Sequence, residues 1–133
     1  MEHTFIQKIF YGDTDCYGVV WHGVYAAWIE RSRTEFCNML FDINQIQQEG
    51  VVFPVVELNL RYKSSPKLFD ELKITTTLKE IKEPKIIFET IITNQTTNEI
   101  AVVAQSILVT TKNGMLNRKL PENMKIALLN TTK

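Results

Sequence analysis

Between Thr4 and Tyr11 apolar and polar positions alternate loosely, the two-residue period of a strand. The cluster Gly12-Asp13-Thr14-Asp15 then supplies a turn. From His22 to about Leu40 the period changes. Tyr25, Trp28, Ile29, Phe36, Met39 and Leu40 fall at spacings of three, four and seven, which predicts one face of a helix about five turns long. The charges of Glu30, Arg31, Arg33 and Glu35 are expected on its other face. Asn44 to Gln48 predicts a second, shorter helix ending at Gly50.

From Val51 onward the chain is rich in Val, Ile, Thr and Phe, with breaks at Ser64-Ser65-Pro66, Glu83-Pro84, Thr96-Thr97-Asn98 and Asn113-Gly114. Four strands are expected, at about 52–63, 72–81, 85–94 and 100–112. In the first, Val56, Leu58, Leu60 and Tyr62 alternate with Glu57, Asn59, Arg61 and Lys63, giving one apolar and one polar face. Ile100 to Val109 is largely apolar on both parities, as in a central strand or one whose second face meets a partner chain. Pro121 to Leu129 predicts a terminal helix. One long helix early, followed by an antiparallel sheet with a large apolar face, is an α+β pattern in which the sheet wraps the helix. Residues 1–133 are read as a single domain.

Composition adds bounds. The chain has 133 residues, 15 basic against 15 acidic and 44% hydrophobic, enough to bury roughly two-thirds of its unfolded surface without a disulfide or structural metal. Zero net charge argues against nucleic acid as a partner, since that binding needs clustered Lys and Arg. The charge is uneven: residues 1–60 hold three basic and eight acidic side chains, and residues 61–133 hold twelve and seven. An anionic small ligand would suit the second half. Cys16 and Cys37 form no disulfide framework and no signal-like segment opens the chain, so a cytoplasmic protein is expected. Apolar runs such as Ile100 to Ala104 are far shorter than a membrane span, so the chain is expected not to be transmembrane.

There is no Gly-rich phosphate loop, no GxSxG, no HExxH and no CxxC. His3 and His22 belong to no cluster with ligand spacing, so neither a metal nor another cofactor is expected. The dense polar stretch is Gly12 to Tyr25. Two carboxylates in one turn, followed by entry into a long helix, place acid/base groups near unpaired backbone N–H donors at His22, Gly23 and Val24. Such donors stabilise an oxygen that gains negative charge, which acyl transfer requires. Gly23, lacking Cβ, would let a substrate carbonyl approach the main chain. Singly, Asp and Thr in turns most often bond their own backbone. The combination carries the signal.

That combination, Tyr11-Gly12-Asp13-Thr14-Asp15-Cys16-Tyr17-Gly18-Val19-Val20-Trp21-His22-Gly23-Val24-Tyr25 followed by Trp28, Glu30, Arg33 and Glu35, resembles the signature of the 4-hydroxybenzoyl-CoA thioesterase family of hotdog-fold acyl-CoA hydrolases. Tyr62 to Asp70 resembles the family's strand, proline turn and acidic residue. The resemblance implies a hotdog fold, with five antiparallel strands curled around the long helix, and a homodimer or homotetramer with active sites at the dimer interface. It implies an acyl-CoA substrate of short-chain or aromatic type, with Asp15 as catalytic nucleophile or general base. The amides at His22 and Gly23 would polarise the thioester carbonyl, and the His22 ring would position the reactants, as in the branch similar to Tol-Pal-associated acyl-CoA thioesterases. Tyr25 could touch the acyl group. Tyr17, where relatives usually have a small residue, would reshape that pocket. Lys82 and Lys85 match positions of basic phosphate contacts, and Glu30 is the fallback base. Three alternatives stay open: an acyl carrier protein thioesterase, a hotdog hydratase or dehydratase, and a module that senses acyl-CoA without turnover.

Overall fold

The computed structural model describes residues 1–132. Its axis is helix α1 (His22–Asn38), 17 residues or about 25 Å. Trp21 enters it in an extended conformation, and no proline interrupts it. Tyr25, Trp28, Ile29, Phe36 and Cys37 are buried along one side. The helix stops at Asn38; Met39 is exposed, while Leu40 still packs against the Phe36 part of the core. Arg33 corrects the pattern reading in a second way. It is only 8% exposed, because its position lies within the buried arc shared by Ile29, Phe36 and Cys37.

Around α1 curls a sheet of five antiparallel strands in the order β1 (His3–Lys8), β4 (Glu71–Lys82), β5 (Lys85–Asn94), β6 (Glu99–Leu108), β3 (Val55–Tyr62). This is the hotdog arrangement. The core has two parts stacked along the helix. One joins Tyr25, Trp28 and Ile29 to Leu72, Ile74, Ile92 and Val102. The other joins Phe36 and Cys37 to Leu78, Ile86, Phe88 and Leu108, and is closed by Met124 and Leu128 of α3 (Glu122–Leu129).

Register fixes the two ends of the sheet. Lys8 lies opposite Glu71, so the loop after β1 leaves from the end where β4 begins. The β4–β5 hairpin, with Lys82 opposite Lys85, turns at the far end, about 36 Å away at 3.3 Å per residue.

Three boundaries differ from the sequence reading, one of them at the expected strand 100–112, where β6 ends at Leu108. The first strand ends at Lys8, and Tyr11–Asp13 form a short 3-10 turn. The expected strand at 52–63 is divided at Phe53-Pro54, because proline gives the ladder no N–H. Its first piece, β2 (Val51–Val52), joins β7 (Thr111–Lys112) and β8 (Met115–Leu116) in a small second sheet. In that sheet Asn113 (φ 51) and Gly114 (φ +83) take the left-handed conformations a tight hairpin demands. The short helix α2 (Ile43–Gln48) precedes β2, capped by the Asp42 carboxylate on the Gln45 amide.

The apolar face expected for β3 is mostly not covered within the chain. Val56 and Tyr62 are each 57% exposed and Leu58 is exposed; Leu60 packs against the core, and Tyr62 adds a ring contact with Tyr25. The cause is position. β3 is an edge strand, and α1 packs on β1, β4 and β5.

Candidate active site

The loop between β1 and α1 is closed by its own polar side chains. Asp13 accepts a hydrogen bond from the Phe10 amide at 2.9 Å, and its carbonyl accepts from Trp21 at 2.8 Å. The Thr14 hydroxyl donates to the Tyr11 carbonyl. Asp15 organises the tip: its amide donates to the Val19 carbonyl at 2.9 Å, and its Oδ1 accepts from the amides of Tyr17 at 2.8 Å and Val19 at 3.4 Å. Gly18 completes the turn at φ +80, where a residue without Cβ is unstrained. One carboxylate oxygen of Asp15 is therefore fixed by the loop, while Oδ2 has no partner among the described residues.

The loop delivers the chain to the N-terminus of α1. Trp21 gives no side-chain cap there. The Val24 amide bonds to the Trp21 carbonyl, but the amides of His22 and Gly23 have no protein acceptor among the described residues. These two donors, with the helix dipole behind them, favour a negatively charged oxygen.

Asp15, His22 and Tyr25 line one open cavity of about 300 Å³, together with Tyr62, Ser64 and Pro66 from the end of β3 and the loop that follows. Tyr25 is buried, and its ring packs against Tyr62 at a centroid distance of 5.9 Å and edge-on to Trp28. Burial, with a smaller contribution from Tyr62, pushes its hydroxyl up to about 12. It stays a neutral donor through the physiological range. The His22 ring is exposed and lies beside the Trp21 indole at 5.4 Å.

Five sequence-derived candidates fall elsewhere or meet other neighbours. Tyr17 is 86% exposed and does not line the cavity, because the turn around Asp15 directs it to solvent. The space a Cβ on Gly23 would occupy is filled by the Trp21 ring, so this glycine accommodates an indole rather than leaving a path for a carbonyl. Lys82 and Lys85 sit at the hairpin end of the sheet, remote from Asp15 within one chain. Glu30 lines a different cavity.

Tyr62, Ser64 and Pro66 were not among the predicted site residues. Their signal lay in the Tyr62 to Asp70 stretch, where Asp70 closes a turn by accepting from the Lys67 amide and the Asn94 side chain. Among the described residues no group of three or more His, Cys, Asp or Glu gathers as a metal site would require, and no helix is long and apolar enough to cross a membrane.

The model of the thioesterase-like superfamily matches residues 11–128. The acyl-CoA thioesterase YbgC of Haemophilus influenzae is 35% identical over 88 residues, covering 65% of this chain and 65% of that protein. The match thus spans just under two thirds of that relative. A putative esterase of Synechocystis is 32% identical over 119 residues, 87% of this chain and 72% of its own. Among solved structures, the DHNA-CoA thioesterase of Staphylococcus aureus superposes with a TM-score of 0.87 at 24% identity, covering 98% of this chain and 91% of that one, which is a likeness of fold.

Proposed function

The chain belongs to the thioesterase-like superfamily, and on that premise we propose that it hydrolyses a short-chain or aromatic acyl-CoA thioester to the free acid and coenzyme A. The observation that carries this reading is the meeting of a carboxylate and a helix N-terminus at one cavity. Asp15, with Oδ2 unpartnered, supplies the base or nucleophile. The unpaired amides of His22 and Gly23 supply donors for the oxygen that becomes negative as the carbonyl is attacked. Tyr25 adds a neutral hydroxyl, and the rings of Tyr25 and Tyr62 give an apolar wall to an acyl group. His22, exposed at the cavity rim, positions the reactants. For the Gly23 amide to be reached, the half-exposed Trp21 indole must move aside.

A second copy completes the site in this reading. β3 is an unpaired edge that carries exposed Val56, Leu58 and Tyr62, so pairing it with the same edge of another chain removes both liabilities at once. Antiparallel pairing about a two-fold axis brings the hairpin end of one chain beside the Asp15 end of the other. Lys82 and Lys85 of the second copy would then meet the phosphates of a coenzyme A held at Asp15. The order of strands and the exposed apolar edge support this arrangement.

The test is thiol release from a panel of short, medium, long and aromatic acyl-CoAs, comparing the wild type with Asp15→Asn. The expected result is turnover of the short or aromatic members, lowered about 10²–10⁴-fold in the variant, with fold and substrate binding retained. A folded wild type that binds acyl-CoA and releases no thiol from any member points to the sensing module instead. Release only from acyl carrier protein thioesters would reassign the substrate.

A further inference from the structure

A second cavity lies at the other end of α1, under α3. It measures about 150 Å³, and its walls include Phe41, Phe53, Phe88 and Met124. Into this apolar lining projects Arg33, 92% buried, which makes no hydrogen bond and no ion pair among the described residues. A guanidinium is charged at every physiological pH and carries five donors, and here they meet no acceptor; the one wholly sealed side-chain polar atom without a partner among the described residues is Ser106 Oγ, so the Arg33 nitrogens keep contact with the cavity space. Burial draws the Arg33 pKa down from its ordinary value, with Glu30 and then Cys37 acting in the opposite sense.

The other polar groups at this cavity give the guanidinium no direct partner. Glu30 and Thr34 are exposed, and neither bonds to Arg33. Cys37 is a buried thiol whose pKa burial pushes up to about 12, so it offers no thiolate.

We propose that this cavity is a binding site for a small apolar monocarboxylate, with the Arg33 guanidinium holding the carboxylate and the aromatic walls holding the hydrocarbon body. Each part of the ligand class follows from a property of the site. The rigid fork of a guanidinium matches the two oxygens of a carboxylate. A cavity of this size takes a benzene-sized group. A phosphate dianion would bring two negative charges to one guanidinium, and Glu30 at the rim repels a dianion more strongly than a monoanion. Short aliphatic and simple aromatic acids therefore fit. The site stands whether or not the Asp15 cavity hydrolyses thioesters; if it does, the acids released there belong to the class this second cavity takes.

The experiment titrates the full chain with benzoate and butyrate, and with phosphate for comparison, by calorimetry and by NMR of methyl-labelled methionine. Saturable benzoate binding that shifts the Met124 methyl is expected. It weakens at least about tenfold in Arg33→Met, as loss of a charge-assisted pair implies, and persists in Asp15→Asn. The wild-type Met124 signal does not depend on any variant folding. Benzoate binding that leaves the Met124 methyl unmoved, that is abolished by Asp15→Asn, or that is equal in wild type and folded Arg33→Met overturns the proposal. So does the absence of binding, or binding of phosphate alone.

Discussion

Asp13 and Asp15 are two residues apart in one loop, yet their side chains meet different neighbours. Asp13 reaches back to the Phe10 amide and shapes the exit from β1. Asp15 bonds forward to Tyr17 and Val19 through a single oxygen and leaves the other without a partner among the described residues. The two cysteines differ in the same way through environment. Cys16 is exposed, while Cys37 is buried against Phe36 and Leu108 with its thiol pushed up to about 12 by burial. A chromogenic disulfide reagent should therefore titrate one thiol of the native protein at once and the second only as fast as the core opens. Cys16→Ser should remove the fast phase alone. Ser106, on β6, is a third residue decided by its neighbours. Its buried Oγ has no partner among the described residues, whereas nearby Thr76 and Thr90 satisfy each other at 2.7 Å. Ser106→Ala should therefore raise stability by about 1 kcal/mol, or about 4 °C in a melting scan.

At the scale of elements, α3 is fastened to the β4–β5 hairpin by Glu83, which accepts from the Leu120 amide at 2.8 Å and from the Lys125 ammonium. Those bonds, that to Lys125 first, hold the Glu83 carboxyl below its usual range and the Lys125 ammonium above its own. The depressed Glu83 contributes stability fully above its unfolded value near 4.5, and this is lost as pH falls through the lower folded value. The raised Lys125 contributes below 10.5 and loses its share as pH rises through its higher folded value. A stability plateau between roughly pH 5 and 10 follows for this pair. Denaturant unfolding at a series of pH values should show Glu83→Gln less stable than wild type at pH 7 and flatter below pH 4.5, with protease cutting α3 earlier. Equal slopes would mean that the pair does not fasten the helix.

For the whole molecule the open question at β3 has a direct test. Leu58→Glu places a charge on the exposed apolar edge without touching the core of one chain. Sedimentation should show the wild type as a dimer or larger assembly and the variant shifted to monomer, with its circular dichroism unchanged. Thiol release should fall with assembly, since Lys82 and Lys85 reach a bound coenzyme A only from a second copy in the proposed pairing. A monomeric wild type with full activity would refute the pairing and return those lysines to solvent.

Local periodicity determined a great deal of this fold. The three- and four-residue spacing of Tyr25, Trp28, Ile29 and Phe36 and the breaks at Glu83-Pro84 and Asn113-Gly114 specify a long helix and a set of strands, because such preferences act between near neighbours. Part of the site was legible for the same reason: Asp15, His22 and Tyr25 lie within eleven residues, and one loop and one helix turn bring them together. What depended on contacts far apart in the chain was not legible. That Tyr62 and Pro66 face Asp15, that Trp21 fills the space above Gly23, that Arg33 is buried rather than solvated, and that Lys82 and Lys85 stand at the opposite end of the sheet were all decided by strand register and by where α1 crosses the sheet. Charge and periodicity describe a residue's tendency; only the packed sheet sets which side of the helix it covers and which strand is left as an edge.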